Sequence, residues 1–185
     1  LDPNSFDAYY NLGIILKDLG KLEDAELSTR KAIEINQNFA NTHYNLGIIL
    51  KDLSKSQEAE FSLRRAIKLD PNFAEAHYNL GSILRDLGKL QEAELSTNKA
   101  IELIPSFAEA HYSLGRILKM RNKLDNAIYS LENASNLGMD YSLCLAEIGN
   151  VLLDQGNHAE GIAKCKSGEG AIEFDLKNGL SISEQ

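Results

Sequence analysis

Tyr10-Asn11-Leu12-Gly13-Ile14-Ile15-Leu16-Lys17-Asp18-Leu19 returns unchanged as Tyr44-Asn45-Leu46-Gly47-Ile48-Ile49-Leu50-Lys51-Asp52-Leu53, and with two substitutions as Tyr78 to Leu87. The step is 34 residues, and the Leu-Gly pair continues at the same step as Leu114-Gly115 and then Ile148-Gly149. Other positions keep it. Ala25, Ala59, Ala93 and Ala127 form one series, Ala32, Ala66, Ala100 and Ala134 another, and Phe39, Phe73, Phe107 and Tyr141 a third. A fixed internal period of this length marks a repeat architecture in which each unit buries its apolar face only by stacking on a neighbour. The 185 residues therefore do not describe a single globular core.

Within one unit the apolar spacing is helical. Ala8, Tyr9, Leu12, Ile15, Leu16 and Leu19 fall on one stripe, and Leu22, Ala25, Thr29, Ala32 and Ile33 on a second, at the three- and four-residue intervals of a buried helix face. Gly20, Ser54, Gly88, Asn122 and Gly156 lie between the two stripes. These residue types suit the left-handed turn that ends a helix, so each unit reads as two short antiparallel helices. At the unit boundaries, Asn72 with Glu75 and Ser106 with Glu109 read as capping boxes, and Pro71 and Pro105 stop the preceding helix. The glycines punctuate helices; no phosphate-loop pattern accompanies them.

A 34-residue helix-turn-helix unit with Leu-Gly in its first helix and alanines in its second resembles the tetratricopeptide repeat family. The resemblance covers residues 6–168, with units 6–39, 40–73, 74–107 and 108–141 and a degenerate unit 142–168. It implies an all-α, right-handed superhelical solenoid of antiparallel helix pairs. Several positions depart from the family pattern. The large-aromatic slot holds Tyr9, His43, His77 and His111, Leu16 and its equivalents replace a Tyr, and Thr29, Leu63, Thr97 and Leu131 replace a Phe. In the fifth unit Gly161 and Gly168 replace the two alanines, each at a helix-propensity cost of about 1 kcal/mol, so its second helix is expected to be short or frayed. Residues 1–5 read as the end of a preceding repeat or a cap. In the tail, 169–185, Ile172, Phe174 and Leu176 alternate with charged residues before Asn178-Gly179. That pattern reads as a β-hairpin with a primed turn, or as the start of a further domain.

Beside its core stripe each first helix carries a polar one: Tyr10, Asn11, Ile14, Lys17 and Asp18 in the first unit, Tyr44, Asn45, Ile48, Lys51 and Asp52 in the second, and Tyr78, Asn79, Ser82, Arg85 and Asp86 in the third. The fourth keeps Tyr112 and Lys119. The resemblance implies that this face lines a concave groove that takes an extended partner segment. Asn offers a donor pair and an acceptor on one plane, which matches a peptide backbone amide. Helices stack about 8–10 Å apart and an extended chain advances roughly 3.3 Å per residue. Asn11, Asn45 and Asn79 would then meet about every third ligand residue. The ladder is similar to that in the tetratricopeptide region of O-GlcNAc transferases. Specificity falls to Tyr10, Tyr44, Tyr78 and Tyr112 with Lys17, Lys51, Arg85 and Lys119. A second reading is that Asn and Tyr recur because the units were recently duplicated or because they bond to neighbouring helices. The carboxylate clamp of chaperone-binding relatives is not present, because Tyr10, Ile14, Glu75 and Asn79 stand where it needs Lys, Asn, Lys and Arg.

His43, His77 and His111 recur once per unit, about 8–10 Å apart by helix stacking. A metal needs its nitrogens at about 2 Å, so they read as packing residues, and no metal or other cofactor is expected. Glu23, Asp24, Glu26, Glu58, Glu60, Glu92 and Glu94 read mostly as the solvated face of second helices. Cys144 and Cys165 read as small apolar fillers, and two cysteines fit a reducing, cytoplasmic setting. No catalytic constellation is legible, so the chain reads as a non-enzymatic scaffold for a protein or peptide partner. Alternatively it is the substrate-docking arm of a larger modifying enzyme, or an array whose uncapped ends associate. The net charge of −8 disfavours nucleic acid and anionic membranes, and no apolar run reaches the ~18 residues of a membrane span. Residues 1–39 carry four basic against seven acidic side chains, and residues 142–185 carry three against seven. The middle is close to neutral.

Overall fold

The computed structural model of the chain describes residues 5–169, 172–175 and 179–182. They divide into two compact units, Leu1–Ile104 and Pro105–Gln185. The first holds three helix pairs: α1 (Phe6–Asp18) with α2 (Leu22–Ile35), α3 (Ala40–Asp52) with α4 (Ser56–Leu69), and α5 (Ala74–Asp86) with α6 (Leu90–Leu103). Each helix packs on its neighbours in sequence, and α3 also touches α1 and α5. The second unit holds α7 (Ala108–Met120) with α8 (Leu124–Asn136) and α9 (Tyr141–Asp154) with α10 (His158–Glu169), followed by β1 (Ile172–Asp175) and β2 (Gly179–Ile182). No described helix is long and apolar enough to cross a membrane.

Each first helix ends in the same way. The residue after its C-cap is left-handed, with φ of 73° at Gly20, 59° at Ser54, 73° at Gly88, 58° at Asn122 and 82° at Gly156. In the first pair the Gly20 amide donates to the Lys17 carbonyl and the Lys21 amide to Leu16, both at 2.9 Å. The other pairs repeat this two-bond closure, which satisfies carbonyls that the helix leaves unpaired. A three-residue connection then turns the chain back, which makes the pair antiparallel.

What fixes the spacing within a pair is the glycine of the Leu-Gly motif. A Cβ added at Gly47 would lie 2.7 Å from Leu63 Cγ, and one at Gly115 would lie 2.6 Å from Leu131 Cγ. At Gly13 and Gly81 the added atom would meet the hydroxyls of Thr29 and Thr97. Around these crossings all eight alanines of the two series are fully buried. The residues in the usual Phe slot thus fill the notch over each glycine, whichever side chain occupies it. In the last pair the fit is closer still. A Cβ at Gly149 would lie 2.7 Å from the Cys165 backbone nitrogen and 2.8 Å from the Gly161 oxygen. Gly161 is therefore more than a helix-propensity loss: with no Cβ on either side, α9 and α10 approach backbone to backbone. Helix α10 runs for 12 residues, two fewer than α2, α4 or α6.

Other sequence expectations are corrected. Helices α5 and α7 start one residue later than capping boxes at Asn72 and Ser106 require. Their N-caps are Phe73 and Phe107, without a side-chain cap bond. Asp70 instead accepts from the Asn72 amide at 3.0 Å in the preceding turn. Side-chain caps do occur at α1, from Ser5 to the Ala8 amide, and at α9, from Asp140 to Leu143. Ile15, expected in the core, is 55% exposed, whereas its equivalents Ile49, Ile83 and Ile117 are buried; no described helix covers that face of α1. Strands β1 and β2 pair antiparallel with Asp175 opposite Gly179. Gly179 therefore belongs to β2 and not to a two-residue turn; Asn178 lies outside the described residues.

Candidate functional site

In the first unit the polar stripe is partly a set of bridges between repeats. The half-buried Tyr44 on α3 packs against Phe73, ring centroids 4.7 Å apart, and its hydroxyl accepts a hydrogen bond from Asn79 Nδ2 on α5 at 3.2 Å. The same Asn79 nitrogen donates to the Glu75 carbonyl at 2.9 Å, and Asn79 is 9% exposed. Burial and the nearby Glu75 charge push the Tyr44 phenol up, against the hydrogen bond from Asn79, so it stays a neutral group. Asn79 thus has its donors engaged inside the protein, and only its Oδ1 is left to accept. Tyr10 packs in an aromatic cluster with Phe6 and Phe39, 5.7 and 5.5 Å away. Tyr78 is half-buried.

The cations of the stripe differ in the same way. Lys17 pairs with Asp18 at 3.3 Å, and Arg85 bonds to Asp86 at 2.8 Å and reaches Ser82. Asn45 and Lys51 on α3 have no hydrogen bond or ion pair among the described residues, and Asn11 is exposed. In the second unit Tyr112 donates to Glu147 at 3.4 Å. Burial and the Glu147 charge raise its phenol. Arg116 approaches Glu147 at 3.5 Å, and Lys119 approaches Asp154 at 3.7 Å.

The histidines have a structural task. Nε2 of His43, His77 and His111 lies 2.9, 3.1 and 3.0 Å from the carbonyl oxygen six residues earlier, on Gln37, Pro71 and Pro105. Each ring donates to the turn that leads into its own helix. Among the described residues no His, Cys, Asp and Glu cluster could hold a metal. Cys144 is buried, and burial together with Asp140 raises its thiol. Cys165 faces Gly149.

The second helices carry features that were not read from the sequence. Glu26 and Glu60, expected on a solvated face, have side chains only 13% and 12% exposed. Glu26 is held by Arg30 at 2.8 Å and by Lys55 of the next repeat at 2.7 Å, while Arg30 also reaches Glu58 at 2.6 Å. Glu60, Arg64, Lys89 and Glu92 repeat this arrangement, with Glu60 to Lys89 at 2.8 Å. Burial would raise both carboxyls, but hydrogen bonds from Lys and Arg and their positive charge outweigh it and hold them below the ordinary value of 4.5. On the same helices, Leu27, Phe61, Leu95 and Tyr129 form a 34-residue series that is 66–75% exposed. The sequence signal was available in both cases as a period of charge and of apolar residues on the outer helices.

Comparison with known proteins agrees with the geometry. A Tetratricopeptide repeat family model matches residues 6–39 and another matches 44–106. No curated protein sequence matches. Among solved structures, YrrB, described as a TPR protein with an unusual peptide-binding site, superposes with a TM-score of 0.78 at 20% identity, over 90% of this chain and 86% of that one. A MamA structure gives a TM-score of 0.78 at 26% identity over 84% and 91%. MamA from Desulfovibrio magneticus gives 0.82 at 20% over 92% and 99%. Matched over half of its length by the family and folded from α1 to α10 as the family's helix pairs, the chain belongs to the tetratricopeptide repeat proteins, a fold of protein-interaction scaffolds.

Proposed function

We propose that the chain is a scaffold that binds an extended peptide segment in the concave groove lined by its first helices. The observation that carries this reading is on α3. Among the described residues Asn45 and Lys51 have no hydrogen bond or ion pair, beside a Tyr44 that Phe73 and Asn79 hold in place. A fixed aromatic next to an amide and an ammonium group can take an apolar residue, a backbone amide and an acceptor of one extended segment. Asn11, Tyr10 and Lys17 repeat the set on α1, and Tyr78, Asn79 and Arg85 on α5, where Asn79 offers its oxygen. Tyr112 and Lys119 hold the same positions in the second unit. The peptide-binding site named for YrrB supports the ligand class.

The test is Asn45→Ala, with binding measured against peptides selected by this chain from an array. Loss of a desolvated amide bond costs about 1 kcal/mol, a roughly fivefold weaker Kd. Unchanged affinity for every selected peptide, with the helical signal intact, would sink the ladder.

A further inference from the structure

The outer side of the first unit carries a cleft of about 420 Å³ between α4 and α6, with α5 as its floor. Its floor and walls are apolar: Leu80 and Leu84 are buried, Ile67 is half-buried, and Leu95 is 66% exposed on the α6 side. The volume falls within the roughly 300–1,000 Å³ of ligand pockets. The donors of its neutral polar lining are engaged, since the Ser96 hydroxyl donates to the His77 carbonyl at 2.9 Å and the His77 ring donates to the Pro71 carbonyl.

The rim is basic. Arg64, Lys68 and Lys99 line the cleft against one carboxylate, Glu92, in a chain whose net charge is −8. Arg64 is tied to Glu92 and Glu60, and Lys99 is tied to Glu102 at 2.8 Å. Lys68 is exposed and has no ion pair among the described residues. The cleft one repeat earlier shows that this is local and not a consequence of the repeat. There Arg30, Glu58 and Phe61 line a smaller space of about 230 Å³, and Glu34 stands at the position of Lys68, paired with Lys31.

We infer that this cleft, walled by second helices, is a second binding surface apart from the first-helix groove, and that it takes an acidic segment of a partner protein. An apolar side chain of the segment enters over Leu80 and Leu84, Leu95 covers it, and a neighbouring carboxylate pairs with Lys68. Charge complementarity decides the occupant. A basic segment would meet the unpaired Lys68 beside two cations already tied to carboxylates, whereas an acidic one supplies the partner that Lys68 lacks.

The test is a ¹H–¹⁵N NMR titration of the full chain with two acetylated decapeptides. Both carry Leu and Phe anchors, and the remaining positions are Glu in one and Lys in the other. The Glu peptide is expected to shift the amides of residues around Lys68, Leu95 and Lys99, and the Lys peptide to leave them in place. Lys68→Glu should weaken binding at least tenfold and Leu95→Ser about fivefold. Both sites are exposed, so the helical spectrum is retained. Leu27→Ser and Asn45→Ala should leave the shifts around Lys68, Leu95 and Lys99 as they are, which separates this surface from general stickiness and from the first-helix groove. Four results would overturn the assignment: no binding of the Glu peptide, equal binding of the Lys peptide, indifference to Lys68→Glu, or sensitivity to Asn45→Ala. Shifts that appear on concentrating the chain alone and vanish in Leu95→Ser would assign the cleft to a second copy of this chain and overturn it equally.

Discussion

At the scale of single residues, the closest tolerances sit at the Leu-Gly glycines. Gly47→Ala places a Cβ 2.7 Å from the branch carbon of Leu63, a fully buried side chain that cannot swing aside. Overpacking costs about 1–3 kcal/mol, and the gain in helix propensity returns roughly 1, so a net loss of up to about 2 kcal/mol is expected in urea unfolding. Leu63→Ala opens a cavity and costs about 2–5 kcal/mol alone. The double variant should be clearly more stable than the sum of the two, because each change relieves the other. Ser54 offers the opposite case. It holds φ of 59° where Gly20 and Gly88 hold 73°, and a side chain in that region costs about 1–2 kcal/mol. Ser54→Gly gives back part of this as unfolded-state entropy; a gain of up to about 1 kcal/mol should appear as a raised Tm.

At the scale of elements, neighbouring repeats are joined by two unlike seams. First helices meet through Tyr44, Phe73 and Asn79, and second helices through the Glu26 and Glu60 ion clusters. Both carboxyls are depressed, so the stability they bring is present above pH 4.5, the ordinary Glu value, and is lost as pH falls through their lower folded-state values. Glu60→Gln should lower stability at pH 7 and flatten the loss between pH 5 and 3. The effect is no more than about 1 kcal/mol, since the Arg and Lys partners are nearly half exposed and salt screens them. Denaturant midpoints of the two proteins across that range, at low and high salt, check it. Helix pairs and turns were legible in the sequence because their causes are local: a 3.6-residue apolar period and a Gly, Ser or Asn after the last turn. The ion seam and the Asn79 bond to Tyr44 were not, because their partners stand 28 to 35 residues away. A side chain that reads as solvated on its own helix is covered once the next repeat is laid beside it. The capping box at Asn72 failed for a local reason, as Asp70 already binds the Asn72 amide that a helix start there would have used; nothing in the structure explains the one at Ser106.

At the scale of the whole molecule, the described helices within each unit contact near neighbours in sequence, so an internal repeat of the first unit should be removable. Deleting residues 40–73 joins Phe39 to Ala74, the junction that Phe73 makes now. Arg30 then faces Glu92 where it faced Glu58, and Lys89 faces Glu26. The shortened chain should keep its helical fraction by circular dichroism. Its m-value should be smaller in rough proportion to the lost surface, and its midpoint lower. An unfolded product would show that the repeats are not equivalent supports for one another.

The ten-residue stretch from Tyr10 to Leu19 and its copy from Tyr44 to Leu53 bear on how such a chain changes over generations. Unequal exchange between the two coding segments yields the same polypeptide wherever within the stretch the break falls, shorter or longer by one repeat. In the shorter product Gly13 comes to face Leu63, as Gly47 does now, and the left-handed Ser54 follows Leu19. Variation in array length therefore passes through products whose glycine notches are already filled, and the gene can gain or lose a repeat without crossing a misfolded intermediate.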